Sequence, residues 1–189
     1  MTSLVHDAAR GRLPDWSQMK PSRREHVARV AALMREWAQA LRLSADDVAR
    51  WTAAGYLHDA LRDADPAVLR PEVPPEFREL PGKLLHGPAV AERLDGQADD
   101  ELRDAIRCHT LGCPRFRTLG RALYLADFLE PGRDFKPEWT ESLRRRMPHD
   151  MDGVLREVVD ARIAFVTSNG GTLHPETQAF HAQVQAEAR

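Results

Sequence analysis

The sequence has few cysteines, no long apolar run and no strong excess of either charge. Its two cysteines, Cys108 and Cys113, are too few for a disulfide framework, and their spacing is not that of a zinc knuckle. The first eight residues lack the apolar core of a signal peptide, and no stretch approaches the length needed to cross a bilayer. We therefore expect reduced thiols and a cytoplasmic location, with no membrane partner.

The charges are nearly balanced, with 27 basic and 29 acidic residues and a net charge of −2. A general electrostatic attraction to nucleic acid is not expected at this charge. The alternation of apolar and polar residues that is typical of strands is also missing. The sequence therefore predicts an all-α fold: a weakly structured lead-in over residues 1–20, followed by a single helical domain over residues 21–189.

Apolar residues at helical spacing, together with capping residues and prolines, predict the helices. Ser22, with Glu25 three residues later, has the pattern of a capping box, and Ser44 and either Asp99 or Asp100 are further N-cap candidates. Five prolines between residues 65 and 81 predict a connector or short helical turns. The predicted helices cover about residues 23–41, 45–61, 83–94, 100–109, 119–130 and 138–168 (broken near Pro148), with a last one starting at Pro175.

The adjacent residues His58 and Asp59 are the most informative feature of the sequence. They follow an apolar helical run, and a carboxylate beside buried apolar residues is costly unless it is paired or bound to a metal. Further candidates lie at inward or terminal positions of other predicted helices: His26, His86, His109 and Asp127. Hydrogen-bonded core histidines could produce the same pattern, but their repetition around a His-Asp pair favours a shared site.

Imidazole nitrogens and carboxylate oxygens together suit iron, manganese or zinc. Six such ligands exceed the requirement of one tetrahedral zinc with an open position. They are enough for two metals if one carboxylate bridges them, and Asp59 is the natural bridge. Two ions about 3.5–4 Å apart can activate a hydroxide for attack on phosphorus.

The order of His26, His58-Asp59 and Asp127 resembles the H…HD…D signature of the HD-domain phosphohydrolase superfamily. The additional His86 and His109 resemble its two-metal members. The surrounding motifs, LLHGP, IRCHTLG, YLADFLEPGR and LHPET, are similar in order to those of the YqeK family over about residues 23–177. The resemblance implies an HD-type helical bundle with a two-metal site in its core.

The resemblance also implies an activity, which is cleavage of diadenosine tetraphosphate at its centre to give two ADP. By carry-over, His26, His58, Asp59 and Asp127 would hold one metal, and Asp59, His86 and His109 would hold the second. A bridging water or hydroxide would be the nucleophile. The cofactor implied is a pair of divalent or mixed-valence ions, with iron expected and manganese or another transition metal as the alternative.

A polyphosphate substrate needs cations around the metals. Arg23, Arg62 and Arg133 are the candidates, each with a surface ion pair as the alternative role. Arg62 stands where the family usually has a lysine, and Val27 stands where Thr or Ser is common. Arg62 and Asp63 are assigned catalytic roles beside Asp59, since Asp63 could orient a ligand or accept a proton.

Two further residues, Thr110 and Gly112, are predicted to form a loop against the nucleotide. His174 is predicted to cap the last helix.

Other interpretations of the function remain open. The chain could be an HD phosphohydrolase for a mononucleotide, a cyclic nucleotide or an alarmone, or a non-catalytic metal- or nucleotide-binding module. A ferritin-like di-iron bundle requires Glu-x-x-His pairs, which do not match the inward candidates. The oligomeric state is left open, with a dimer among the options.

Overall fold

The computed structural model describes residues 2–187, and in this span the protein is all-α, with no strand. Two 3-10 turns, Pro75–Phe77 and Gly82–Leu84, lie between the fourth and fifth helices. No helix in residues 2–187 has both the length and the apolarity required to span a bilayer. The helices are α1 Ser3–Ala9, α2 Pro21–Ala40, α3 Ala45–Leu57, α4 Pro66–Leu69, α5 His86–Arg93, α6 Asp100–Cys108, α7 Thr118–Leu129, α8 Pro137–Arg146, α9 Met151–Ser168 and α10 Pro175–Ala186.

Capping side chains begin several helices as the sequence predicts. The Ser44 side chain accepts a hydrogen bond from the Asp47 backbone at 3.1 Å, and Asp99 accepts one from Leu102 at 3.1 Å. The predicted cap at Ser22 is wrong. Helix α2 begins at Pro21, whose fixed φ suits the first helical position, with Lys20 as the N-cap.

The core is built around α7, which is buried along nearly its whole length. It contacts α2, α3, α6 and α9, so side chains that leave its two ends reach several elements. Helices α2 and α3 pack closely, because Gly55 brings α3 against the backbone of Ala31. This close approach holds the carboxyl end of α3 next to α2.

The predicted lead-in is more ordered than the sequence indicated. Residues 3–9 form α1, and Val5 and Ala8 are buried where this helix packs against α3. The expectation of weak structure is therefore wrong for this segment. Met1 and residues 188–189, the outermost residues of the predicted lead-in and domain, lie outside the described residues, and the boundary at residue 20 remains a prediction.

Helix α3 ends at Leu57, four residues before its predicted end. Tight turns follow, with Ala60 N bonded to Leu57 O at 2.9 Å and Arg62 N bonded to Asp59 O at 2.9 Å. His58 and Asp59 therefore lie at the point where the chain leaves the helix, and their side chains are not restricted to the directions that helical geometry would impose.

Candidate metal centre

Six side chains from five regions of the bundle meet in the interior, and we call them the His/Asp cluster. His26 comes from the second turn of α2, His58 and Asp59 follow α3, His86 begins α5, His109 follows α6, and Asp127 lies in the last turn of α7. All six are buried. The structure thus brings together every residue that the sequence predicted as a metal ligand.

The Asp59 carboxylate lies between two sets of imidazoles. Its Oδ1 is 2.9 Å from His86 Nε2 and 3.5 Å from His109 Nε2. Its Oδ2 is 3.6 Å from His58 Nε2 and 3.7 Å from His26 Nε2. Because each oxygen faces a different pair of rings, one carboxylate is placed to serve two ions.

Asp127 completes one side of the cluster. Its Oδ1 lies 3.1 Å from His26 Nε2 and 3.9 Å from His58 Nε2. The ligand atoms of these three residues all lie within 4.8 Å of one another, as do those of His58, Asp59 and His109. Two overlapping groups of metal-compatible atoms therefore lie together in the interior.

The backbone fixes how three of the rings point. In each, Nδ1 lies within hydrogen-bond distance of the carbonyl oxygen three residues earlier, which leaves Nε2 directed into the cluster. These pairs are His58 with Gly55 at 2.8 Å, His86 with Lys83 at 3.0 Å, and His109 with Ile106 at 2.8 Å. An outer hydrogen bond of this kind sets the orientation of metal-bound histidines.

The fourth ring is oriented by Glu130, which the sequence reasoning missed. Its Oε1 lies 3.1 Å from His26 Nδ1, while Oε2 accepts hydrogen bonds from Arg29 Nε at 2.5 Å and from the Gly132 backbone at 2.7 Å. Burial raises the pKa of Glu130, but hydrogen bonds from His26, Arg29 and Gly132 outweigh it and lower that pKa to about 2. The carboxylate is thus ionised and aligned with His26.

Metal ligation requires neutral imidazoles and ionised carboxylates. His26 departs from this requirement: burial opposes its protonation, but hydrogen bonds with Asp127 and Glu130 outweigh burial and raise its pKa. His58, His86 and Asp59 meet the requirement. Burial lowers the pKa of His58 to about 4, so this ring is neutral near pH 7. Burial opposes ionisation of Asp59, but His58, His109 and His86 hold its pKa well below the usual range. The buried Nε2 atoms of His26 and His58 have no hydrogen-bond partner among residues 2–187. Buried ring nitrogens that lack a hydrogen-bond partner and lie beside two carboxylates are suited to bind a cation.

The predicted arginines occupy different places. Arg23 donates to Asp59 Oδ2 at 2.8 Å, and Arg133 donates to Asp127 Oδ1 at 2.5 Å. Half-buried Arg62 donates to the Lys83 carbonyl oxygen at 3.2 Å. No carboxylate in the described span 2–187 lies within 4.0 Å of Arg62, so its charge is not compensated by an ion pair.

Three other predicted residues are less directly placed. The exposed Asp63 carboxylate accepts a hydrogen bond from the Lys20 backbone at 2.8 Å, so it is engaged with the start of α2. Thr110 Oγ1 lies 3.0 Å from His109 Nε2, at the edge of the cluster. Gly112 has a φ of +82°, and a Cβ there would collide with Phe180. Both its backbone conformation and its packing therefore require glycine, whether or not it contacts a nucleotide.

His174 stands at the N-cap of α10 but makes no side-chain capping bond, so its predicted capping role is wrong. Its Nδ1 lies 2.5 Å from Glu176 Oε2.

A separate cavity of about 720 Å³ opens between the starts of α7 and α9. Its lining includes Arg121 and Asp152, which pair with each other at 3.0 Å. Neither of the two groups of metal-compatible side chains lies in this cavity. The cavity is therefore separate from the His/Asp cluster.

The chain is similar to known proteins. Two curated relatives are named symmetrical bis(5'-nucleosyl)-tetraphosphatase. The protein from Halalkalibacterium halodurans is 31% identical over 111 residues, which is 57% of this chain and 58% of the relative. The protein from Bacillus subtilis is 27% identical over 113 residues, 58% of this chain and 60% of the relative. The matches thus span less than two thirds of these relatives.

A crystal structure from Clostridium acetobutylicum resembles nearly the whole fold. That protein is described as a predicted HD superfamily hydrolase involved in NAD metabolism. It is 25% identical in sequence, with a TM-score of 0.78 over 97% of this chain and 96% of that one.

The family model for the HD domain matches residues 23–132. This range contains all six members of the His/Asp cluster and also Glu130, so the matched segment and the metal-compatible geometry coincide. The match covers more than half of the sequence, and the chain belongs to the HD domain family.

Proposed function

We propose that the chain is a metal-dependent phosphohydrolase that cleaves diadenosine tetraphosphate symmetrically into two ADP. The observation that carries the proposal is the Asp59 carboxylate, whose two oxygens face different pairs of imidazoles. This arrangement supports a bridged two-metal centre, and the names of the curated relatives support the substrate.

In this proposal, His26, His58, Asp59 and Asp127 would hold one ion, and Asp59, His86 and His109 would hold the other. When bound, such ions lower the pKa of water and neutralise charge that develops on phosphoryl oxygens. Iron is the proposed metal because the family resemblance implies it, with manganese or another transition metal as the alternative. The nitrogen and oxygen donors are compatible with each of them.

The surrounding side chains would bind and orient the polyphosphate. Arg23 and Arg133 contact the Asp59 and Asp127 carboxylates, yet their side chains stay 29% and 41% exposed. They can therefore meet phosphate oxygens at the rim of the cluster. Arg62 adds a cation beside the start of α5, and Thr110 adds a hydroxyl beside His109.

Cleavage at the centre of a tetraphosphate requires phosphates on both sides of the reacting bond. Arg62 lies next to Lys83 and the His86 side of the cluster, whereas Arg133 contacts Asp127 at the end of α7. Cations from different elements thus flank the cluster, which favours a substrate that extends in two directions over one with a single terminal phosphate.

A second candidate is hydrolysis of another nucleotide by the same centre. The Clostridium acetobutylicum protein, described as involved in NAD metabolism, motivates this alternative. Dinucleotides with a shorter phosphate bridge offer the same phosphoanhydride chemistry, so a substrate panel should include them with mononucleotides, cyclic nucleotides and alarmones.

The test is to incubate metal-loaded protein with diadenosine tetraphosphate and separate the products by anion exchange. We expect ADP alone. Formation of ATP with AMP would contradict symmetric cleavage, and no turnover at full metal content would exclude this substrate. Faster cleavage of another panel member would favour the second candidate.

A further inference from the structure

Three partly exposed aromatic rings cluster beyond the last turn of α7. Phe128 contacts Phe135 with ring centroids 5.7 Å apart, and Trp139 lies 6.1 Å from each of them. The three rings meet edge to face, with interplanar angles of 74° to 83°. Their partial exposure leaves aromatic surface available to a flat ligand.

The chain connects these rings directly to the His/Asp cluster. Phe128 follows Asp127, and the loop after α7 turns back so that Arg133 contacts Asp127 while Phe135 contacts Phe128. Lys136 then adopts a left-handed φ of +44° at the start of α8. This turn sends α8 back along the loop and places Trp139 on the other two rings.

Two cations adjoin the rings. Lys136 Nζ lies 5.7 Å from the Phe135 centroid and 5.8 Å from the Trp139 centroid. The Arg162 guanidinium lies 5.9 Å from the Phe128 centroid and 4.7 Å from that of buried Tyr124. Neither cation has a carboxylate within 4.0 Å among residues 2–187, so both charges are available to an anionic ligand.

Arg162 also joins the rings to the second side of the cluster. Its Nη2 donates to the Thr110 carbonyl oxygen at 2.9 Å, and Thr110 Oγ1 lies 3.0 Å from His109 Nε2. A chain of contacts therefore runs from His109 through Thr110 and Arg162 to the partly exposed ring of Phe128.

We propose that Phe128, Phe135 and Trp139, with Lys136 and Arg162, form a base platform that stacks on one nucleobase of a nucleotide whose phosphates reach the His/Asp cluster. The proposal rests on the proposed function, because it needs a phosphate chain at the cluster. Aromatic rings with adjacent cations bind bases through stacking and cation–π contacts, and they tolerate different bases because every base has a π face.

The base platform predicts that a nucleoside diphosphate binds more tightly than the same diphosphate without its base. Loss of one stacking ring is expected to weaken binding of the nucleotide by about 5- to 100-fold. Pyrophosphate binding should be unchanged by the loss of a ring, because the three aromatic rings contact only the base.

The experiment is calorimetric titration of ADP and of pyrophosphate into metal-loaded protein, using the unmodified chain, Phe135→Leu and Trp139→Leu. Phe77→Leu is the matched control, since Phe77 is a partly buried phenylalanine in the 3-10 turn Pro75–Phe77. Trp139→Phe retains an aromatic ring and should restore most of the affinity for ADP.

Weaker ADP binding with unchanged pyrophosphate binding in both leucine variants would support the platform. Equal weakening of both ligands would overturn it, as would unchanged ADP affinity. It would also fail if ADP bound the unmodified chain no more tightly than pyrophosphate. These outcomes do not depend on turnover, so failure of the product assay on diadenosine tetraphosphate would leave this comparison intact.

Discussion

The Asp59 carboxylate has a position that no other residue of the cluster shares, since each oxygen faces its own pair of rings. Asp59→Asn keeps the shape of the side chain but replaces one carboxylate oxygen with an NH2 group, which cannot bind a metal, and removes the negative charge. We expect loss of bound metal together with at least a 100-fold fall in activity, beyond the roughly 10- to 100-fold cost of losing an outer partner. Metal analysis and turnover on the same sample would measure both.

Asp46→Asn is the control, because Asp46 is an exposed carboxylate in the first turn of α3. It should leave metal content and turnover unchanged. Normal activity in Asp59→Asn at reduced metal content would exclude Asp59 as a required bridge.

Glu130 is not one of the six proposed metal ligands; it orients one of them, His26. Glu130→Gln retains an oxygen near Arg29 and Gly132 but removes the charge that aligns His26 Nδ1. We expect metal affinity to fall about 10- to 100-fold. Activity should return at high metal concentration, because every ligand of the cluster remains.

A metal titration of activity would measure this shift. Glu141→Gln is the matched control, since partly exposed Glu141 pairs, among residues 2–187, with arginines of its own helix alone, and such pairs contribute little. A loss of activity in Glu130→Gln that excess metal does not reverse would show that Glu130 has a role beyond orienting His26.

The ligands could be predicted from the sequence because histidine and aspartate are chemically specific and recur on different predicted helices. Glu130 could not be assigned in the same way. It lies three residues after Asp127 and looks like an ordinary helix end. Its role depends on the distance across the bundle to His26 and Arg29, and no local pattern encodes that distance.

At the level of elements, Gly55 determines how closely α2 and α3 approach. A Cβ at this position would lie 2.5 Å from Ala31 Cα and 2.7 Å from Ala31 N. Gly55→Ala should therefore destabilise the fold by about 1–3 kcal/mol through overpacking. This exceeds the gain of up to about 1 kcal/mol in helix propensity. Urea denaturation would measure the net change.

The steric conflict involves the backbone of Ala31, so removing the Ala31 methyl group should not relieve it. In Ala31→Gly/Gly55→Ala, we expect the destabilisation of Gly55→Ala to persist with the cost of a helical glycine added. Rescue by Ala31→Gly would show that the side chain, and not the backbone, sets the distance between the helices.

The start of α3 at Ala45 was predicted correctly, whereas its end was predicted four residues too late. Ser44 and Asp99 are local signals that act within three residues, and both begin helices as predicted. The end of α3 depends on tertiary structure, because Asp59 turns inward to meet rings from α2, α5 and α6. Burial of α1 against α3 is likewise a tertiary contact, which residues 1–20 do not reveal alone.

At the level of the whole molecule, the bundle concentrates two carboxylates and four imidazoles at its centre. Such a cluster costs folding free energy unless the carboxylates are paired, and Arg23 and Arg133 pair with them only in part, since both arginines remain partly exposed. The apolar pattern of the sequence predicted the helices. It does not reveal how far pairing offsets the cost of burying the two carboxylates, because that depends on all five converging regions together.

Bound metal should therefore stabilise the entire bundle. A ligand that binds only the folded chain adds about 2.7 kcal/mol at 100 times its dissociation constant. For a chain of 189 residues this corresponds to a rise in Tm of about 5 to 10 °C. Scanning calorimetry with a chelator, and then with added Fe²⁺ or Mn²⁺, would measure it. Asp59→Asn should show a much smaller rise, whereas Asp46→Asn should match the unmodified chain. The same Tm with chelator and with metal would contradict a metal centre in the His/Asp cluster. A metal ion bound to side chains from the regions of α2, α3, α5, α6 and α7 must oppose the separation of these helices on unfolding.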